Sequence, residues 1–296
     1  MADSFTLYPA DQNLPPIEGK PKVLVTGARG EIGLRFAEAM GDRYDLRLLC
    51  HSLDDKADRL RPHGQVIEGS ITDLQQTKAA CEGMDMVLHL AGLPSPSTPW
   101  EKLLPVNVEG TYNVMVAAHA AKCQRVIFAS SIHAVSGYPV DRQVQADDPV
   151  NPGDLYGVTK CFGEAMGRYM AEQHHMSVIA VRICWFQPLE ETRDDDGVSM
   201  LDAYISPRDM NQLFEKCIED RRLKFAIVHG LSDNQFKRLD LSETKELLGY
   251  HPQDDLTELN PRLAALKLGT TLRQHDETGD HSRAGIQDDL DSLNNS

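Results

Sequence analysis

Apolar and polar residues alternate in blocks along most of the chain. "KVLVTG" (22–27) is a short, continuously apolar run, and "EIGLRFAEAM" (31–40) repeats apolar residues at helical spacing. "DLRLLC" (45–50), "QVIEG" (65–69), "MDMVLHLAG" (84–92), "RVIFASS" (125–131) and "SVIAVRIC" (177–184) predict further strands. Between them, "NVEGTYNVMVAAHAAK" (107–122) and "LYGVTKCFGEAMGRYMAEQ" (155–173) predict long helices. Strands apolar on both faces, with helices in between, predict an α/β fold with a doubly wound parallel sheet.

The alternation weakens after Cys184. Residues 186–199 read as a loop, 206–220 as a helix with Ser206 as its N-cap, 224–230 as a strand and 242–250 as a short helix ending near Gly249. Residues 186–267 are therefore assigned to a small substrate lobe above a core domain of residues 21–185. Residues 1–20 carry Pro15 and Pro16 without any periodic pattern and read as a flexible N-terminal arm. Residues 268–296 are polar, acidic and nearly free of large apolar side chains, which predicts a disordered tail.

Composition narrows the function. The formal charge of -15 over 296 residues leaves no basic face to neutralise phosphates, so no nucleic-acid partner is expected. No apolar run reaches membrane-spanning length, and none is expected to enter a membrane. The cysteines at 50, 81, 123, 161, 184 and 217 show no CxxC spacing, so neither a metal site nor a disulfide framework is expected. A reducing cytoplasmic location follows.

"TGARGEIG" gives Gly27-x-x-Gly30-x-x-Gly33 between a predicted strand and a predicted helix. In that context the glycines let backbone approach a pyrophosphate, and the helix N-terminus offers it free N–H groups. A dinucleotide is the expected ligand. Gly27, Arg29, Gly30, Glu31, Ile32 and Gly33 are the candidate contacts, and the fold expected around them is Rossmann-type.

"DLYGVTKCFGE" (154–164) puts Tyr156 four residues before Lys160, on one helix face. That spacing alone does not separate a catalytic pair from an ordinary surface contact. In chain order stand the glycine loop, "HLAG" (89–92), Asn107 in "VNVEGT", Ser130-Ser131 and Tyr156-x-x-x-Lys160. Together they resemble the extended short-chain dehydrogenase/reductase superfamily, the NAD-dependent epimerases and dehydratases, over roughly residues 22–250. "FASSIHAVSGYP", "LYGVTKCFGE" and "AYISPRDMNQLFEKCIED" are similar to uronate dehydrogenases and to archaeal-type NAD-dependent glucose-6-phosphate dehydrogenases.

The resemblance implies hydride transfer from a sugar hydroxyl, such as C1 oxidation to a lactone. Tyr156 would be the base, Lys160 its tuner and the ribose anchor, Ser131 the partner of the reacting hydroxyl, and Asn107 the holder of a helix bend and a relay water. A free tyrosine has a pKa of about 10; a nearby ammonium and the positive nicotinamide ring would favour the phenolate, and a drop of ~3 units takes about 4 kcal/mol. His51, Ser70, Ile71, Leu90, Ala91 and Gly92 join the implied cofactor contacts; Ile132, His133 and Trp185 join the implied substrate contacts. His89 reads as a buried core histidine. A homodimer through the helices at 107–122 and 155–173 is implied as well.

Three positions depart from the uronate dehydrogenase pattern. Ile132 replaces an asparagine, Trp185 a small polar residue, and Ser199 the arginine that holds the substrate carboxylate. A less anionic, sugar-like alcohol is therefore expected. Cys50-His51-Ser52 stands where an acidic residue selects NAD. NAD is expected by family, and NADP stays open. The short C-terminal part argues against a nucleotide-sugar epimerase or dehydratase with tightly bound NAD. The intact Ser131, Tyr156 and Lys160 argue against a non-catalytic dinucleotide sensor.

Overall fold

The computed structural model describes residues 3–193, 195–268 and 293. Among the described residues ten strands appear: β1 (Phe5–Leu7), β2 (Lys22–Thr26), β3 (Asp45–Cys50), β4 (Gln65–Glu68), β5 (Met86–His89), β6 (Arg125–Ser131), β7 (Ser177–Ile183), β8 (Trp185–Phe186), β9 (Tyr204–Ile205) and β10 (Leu223–Gly230). Eight form one sheet in the order β1-β10-β7-β6-β5-β2-β3-β4, parallel except for β1, and β8 pairs with β9 separately. The chain winds outward from β2 in both directions, so the order reverses between β2 and β5. In open α/β sheets, ligands bind in the crevice at such a reversal.

Alternation along the strands explains the layers. Val23 and Val25 pack on one side with Phe36, Ala37, Leu213 and Phe214. Leu24 points to the other side, with Val114, Met115, Met170 and Ala171. The first layer is made by α1 (Glu31–Met40), and later in the chain by Pro207–Glu219; the second by α2 (Leu74–Cys81), α3 (Gly110–Ala120) and α4 (Leu155–His174). Both faces of the central strands are buried, as their continuous apolar runs predict. Gly163 brings α4 down onto β6: a Cβ there would lie 2.1 Å from Phe128 Cζ.

Two expected boundaries need correction. The N-terminal arm is partly ordered: β1 adds antiparallel to β10, Ile227 N–H donates to the Ser4 carbonyl, and Thr6 Oγ1 donates to Glu172. It covers the row of backbone groups that β10 would otherwise expose at the sheet edge. Three residues are too short to show a period. β10 and Pro207–Glu219, expected in the small lobe of residues 186–267, belong to the main sheet and its helical layer. The tail expected to be disordered lies, apart from residues 268 and 293, outside the described residues.

Candidate active site

The glycine loop meets the loop after β5 at the sheet reversal. Gly27 has φ +69°, and a Cβ on it would lie 2.6 Å from the Ala91 nitrogen. Only glycine permits both the dihedral and the approach. Gly30 starts α1 and has no side chain to cap it, so the first-turn N–H groups are left for a ligand. Gly27, Gly30, Glu31, Ile32 and Gly33 line one end of a cavity of about 840 Å³, and Leu90 and Gly92 line its side. This narrow backbone cradle fits a pyrophosphate.

The same cavity is lined by Ser131, Ile132, His133, Tyr156, Lys160, Trp185 and Ser199. Tyr156 and Lys160 are almost fully buried on α4, and Lys160 Nζ lies 5.5 Å from the centre of the Tyr156 ring. Lys160 donates to the Ala129 carbonyl at 2.7 Å. Burial lowers its pKa to about 8, although Glu164 pulls it upward. Tyr156 is pushed up to about 12 by desolvation, against the opposing effect of the Ser131 hydroxyl, with the Asp154 charge raising it further. The expected lowering depends on the positive nicotinamide ring as well as the ammonium; in the protein alone burial dominates, and the Lys160 hydrogen bond is made to backbone.

Asn107 sits in a wide turn, Leu104–Glu109, where Gly110 N–H donates to the Pro105 carbonyl five residues back. Its amide donates to Leu93 O and Thr159 Oγ1, both at 3.1 Å, and accepts from Leu93 N–H at 2.8 Å. It thus ties the loop after β5 to α4. The helix irregularity is as expected, while the side-chain amide itself is spent on Leu93 and Thr159. A Cβ on Gly92 would come within 3.5 Å of Asn107 Oδ1 and 3.6 Å of Lys160 Nζ.

Ser131 Oγ accepts from His133 N–H at 3.2 Å. His133 Nδ1 lies 2.6 Å from Asp154 Oδ2, and the imidazole stands edge-on to Tyr156 with ring centres 5.3 Å apart. Asp154 also caps α4 by accepting from Gly157 N–H. Sequence reading missed Asp154 as a partner of His133. The signal was the N-cap position just before "LYG", visible once the helix start is fixed. It also missed Gln187, Asp202 and Arg238 in the cavity wall, because they come from loops without a pattern.

The other candidates lie around this centre. Arg29 reaches Ser52 at the end of β3, beside the exposed His51. Ser70 bonds Thr72, Ile71 is buried beneath Gly110, and Ala91 N–H donates to Thr26 Oγ1. These flank the cavity without lining it. Asp73 caps α2. His89 is buried, bonded to Thr26 and Thr111, and burial with the nearby Lys160 charge pushes its pKa down to about 3, as befits a core histidine.

A parallel sheet with a glycine cradle at its reversal, and a serine, tyrosine and lysine on the same cavity, defines a dinucleotide-dependent oxidoreductase class. The chain belongs to the NAD dependent epimerase/dehydratase family, whose model matches residues 23–195. It is 35% identical to an NAD-dependent glucose-6-phosphate dehydrogenase of Haloferax volcanii over 251 residues, 80% of this chain and 94% of that one. An L-arabinose 1-dehydrogenase (NAD(P)(+)) of the same organism is 32% identical, over 79% of this chain and 97% of its own. Among solved structures, a uronate dehydrogenase from Agrobacterium tumefaciens in complex with NAD matches with TM-score 0.74 and 30% identity, covering 87% of this chain and 92% of that one.

Proposed function

We propose that this chain oxidises the C1 hydroxyl of a cyclic sugar, or a close derivative, to a lactone. The chain is an NAD-dependent oxidoreductase acting on sugar hydroxyls, the class its relatives define. The observation that carries the finer reading is the convergence of Ser131, Tyr156 and Lys160 on the cavity that the glycine loop opens.

Each residue has a distinct part. The Tyr156 oxygen takes the hydroxyl proton, and Ser131 hydrogen-bonds the same substrate oxygen. Lys160 supplies positive charge that favours the phenolate, and it holds ribose hydroxyls. NAD, when bound, supplies the acceptor for the C1 hydride. His133, oriented by Asp154, faces a second substrate hydroxyl. Ile132, Trp185 and Ser199 offer no guanidinium to the wall, and Arg238, which does reach it, donates its Nη1 and Nη2 to the Pro139, Arg142 and Tyr138 carbonyls, which supports an aldose-like substrate over a uronate.

The proposal extends to assembly and location. Tyr112, Leu155, Val158 and Tyr169 are exposed apolar side chains on α3 and α4, and they support a homodimer built on these helices. Light scattering that finds only a monomer would remove that part. The six free thiols support the reducing cytoplasm. No described helix is long and apolar enough to cross a membrane.

The test is NADH formation with aldoses, uronates and hexose phosphates, alongside Tyr156→Phe. Turnover on an aldose that the variant loses by about 100-fold or more is expected. Turnover confined to uronates would overturn the substrate assignment, and turnover retained by the variant would overturn the catalytic one.

A further inference from the structure

The C-terminal end of β3 is where this fold reads the 2′ position of the adenosine ribose. Cys50-His51-Ser52 offers no carboxylate there. Two other side chains occupy the place. Arg29, projecting from the glycine loop, donates through Nη1 to Ser52 Oγ at 3.0 Å and forms an ion pair with Asp54 Oδ2. The two side chains are 33% and 48% exposed, so a ligand can reach both. Asp54 is held in place from its other oxygen, since Oδ1 accepts from Lys56 and Ala57 N–H and caps the short helix Asp55–Asp58. Arg29 has no such restraint among the described residues beyond Ser52 and Asp54.

We propose that Arg29 and Asp54 together read the 2′ position both ways, so that the chain accepts NADP as well as NAD. The proposal rests on the dinucleotide reading above. With NAD, Asp54 accepts from the 2′-hydroxyl while keeping its pair with Arg29. With NADP, the 2′-phosphate replaces Asp54 as the partner of the guanidinium. A phosphate carries more charge than a carboxylate and matches the planar fork of arginine. An exposed ion pair is weak, so exchanging it costs little. The fixed Asp54 charge stays nearby and repels the phosphate, so NADP binds more weakly than NAD.

Calorimetric titration of the full chain with NAD and with NADP, without substrate, tests this. The variants are Asp54→Asn and Arg29→Ala. Asparagine caps a helix as well as aspartate does, so Asp54→Asn removes charge and keeps the cap. It is expected to shift the affinity ratio toward NADP by about tenfold, as loss of one repelling neighbour implies. Arg29→Ala is expected to cost NADP at least about tenfold more than it costs NAD. An NADP to NAD ratio unchanged in both variants, with NAD binding retained, overturns this inference. Failure of the wild-type chain to bind NAD at all overturns the dinucleotide reading itself.

Discussion

Lys160→Met separates two roles that a buried lysine beside a tyrosine could have. The ammonium lies 5.5 Å from the Tyr156 ring centre. At an effective dielectric of about 20, a unit charge at that distance is worth about 3 kcal/mol to a phenolate, or about two pKa units. Tyr156 already stands near 12 in the protein alone, so the phenolate needs every nearby cation. Removing this one should lower kcat/KM for sugar oxidation about 100-fold at pH 7 and move the alkaline rise in rate about two units upward. Unfolding is not an alternative cause. Burial holds the folded-state pKa of Lys160 near 8, below its ordinary 10.5. Between these values the unfolded chain holds more protons, so stability rises with pH across that window. Below it, the charged lysine costs the fold about 3 kcal/mol. Methionine removes that cost but leaves the Ala129 carbonyl without its donor, a loss of about 1–3 kcal/mol. The melting temperature at pH 7 should therefore stay within a few degrees of wild type. The assay is kcat/KM against pH at saturating NAD. A pH profile superimposable on wild type, with only the KM for NAD raised, would refute the tuning role and leave Lys160 as a ribose anchor.

Two further substitutions probe the ends of the cavity. Gly27→Ala places a Cβ 2.6 Å from the Ala91 nitrogen at φ +69°, which costs about 1–2 kcal/mol for the dihedral alone. With the loops forced apart, NAD affinity should fall more than tenfold and the melting temperature by at least about 5 °C; wild-type values for both in calorimetry would show that the two loops yield easily. Ser199→Arg puts a guanidinium on the substrate wall. Uronate kcat/KM should gain at least about tenfold over aldose, the worth of one charge-assisted pair, and an unchanged ratio in a competition assay would show that position 199 does not read the substrate.

Legibility in the sequence followed burial. β3 and β6 span the residues their apolar runs predict, and α1 does the same, because each is a complete buried period. Ser206 caps its helix through Asp209 N–H, and Gly249 ends the next one at φ +62°. β1, β8 and β9 were not visible, since two or three residues carry no periodicity. Their pairing depends on what the sheet and lobe leave open, which is tertiary information. At the site, Tyr156, Lys160, Ser131 and the glycines could be read because each has a fixed offset from an element boundary. The raised Tyr156 pKa of the protein alone could not, because it depends on how completely neighbours bury the phenol. From sequence, Arg208 reads as either a substrate contact or a partner of Asp209 or Glu215. It pairs with Asp209 at 3.8 Å, as the second reading has it, and more closely with Asp254 at 2.6 Å, 46 residues away, a partner that no local pattern encodes.

The two sides of the cavity are built by different means, and this bears on how substrate choice can change. The chemical side stands on strand ends and α4. Arg182 on β7 holds Glu164 of α4 through bonds of 2.9 and 3.0 Å, and Ser130 of β6 donates to the same carboxylate at 2.6 Å. All three are buried, so breaking this network would leave an unpaired charge in the core, a loss of about 3–5 kcal/mol. The facing wall comes from Trp185–Gln187, Ser199–Ala203 and Arg238, short segments joined to one another by backbone bonds, from Trp185 N–H to the Ala203 carbonyl and from Arg238 N–H to the Asp202 carbonyl. Trp185 is 42% exposed, and substitution there disturbs little packing. A chain built this way can change a side chain such as Trp185 at that wall and keep the Tyr156–Lys160 geometry.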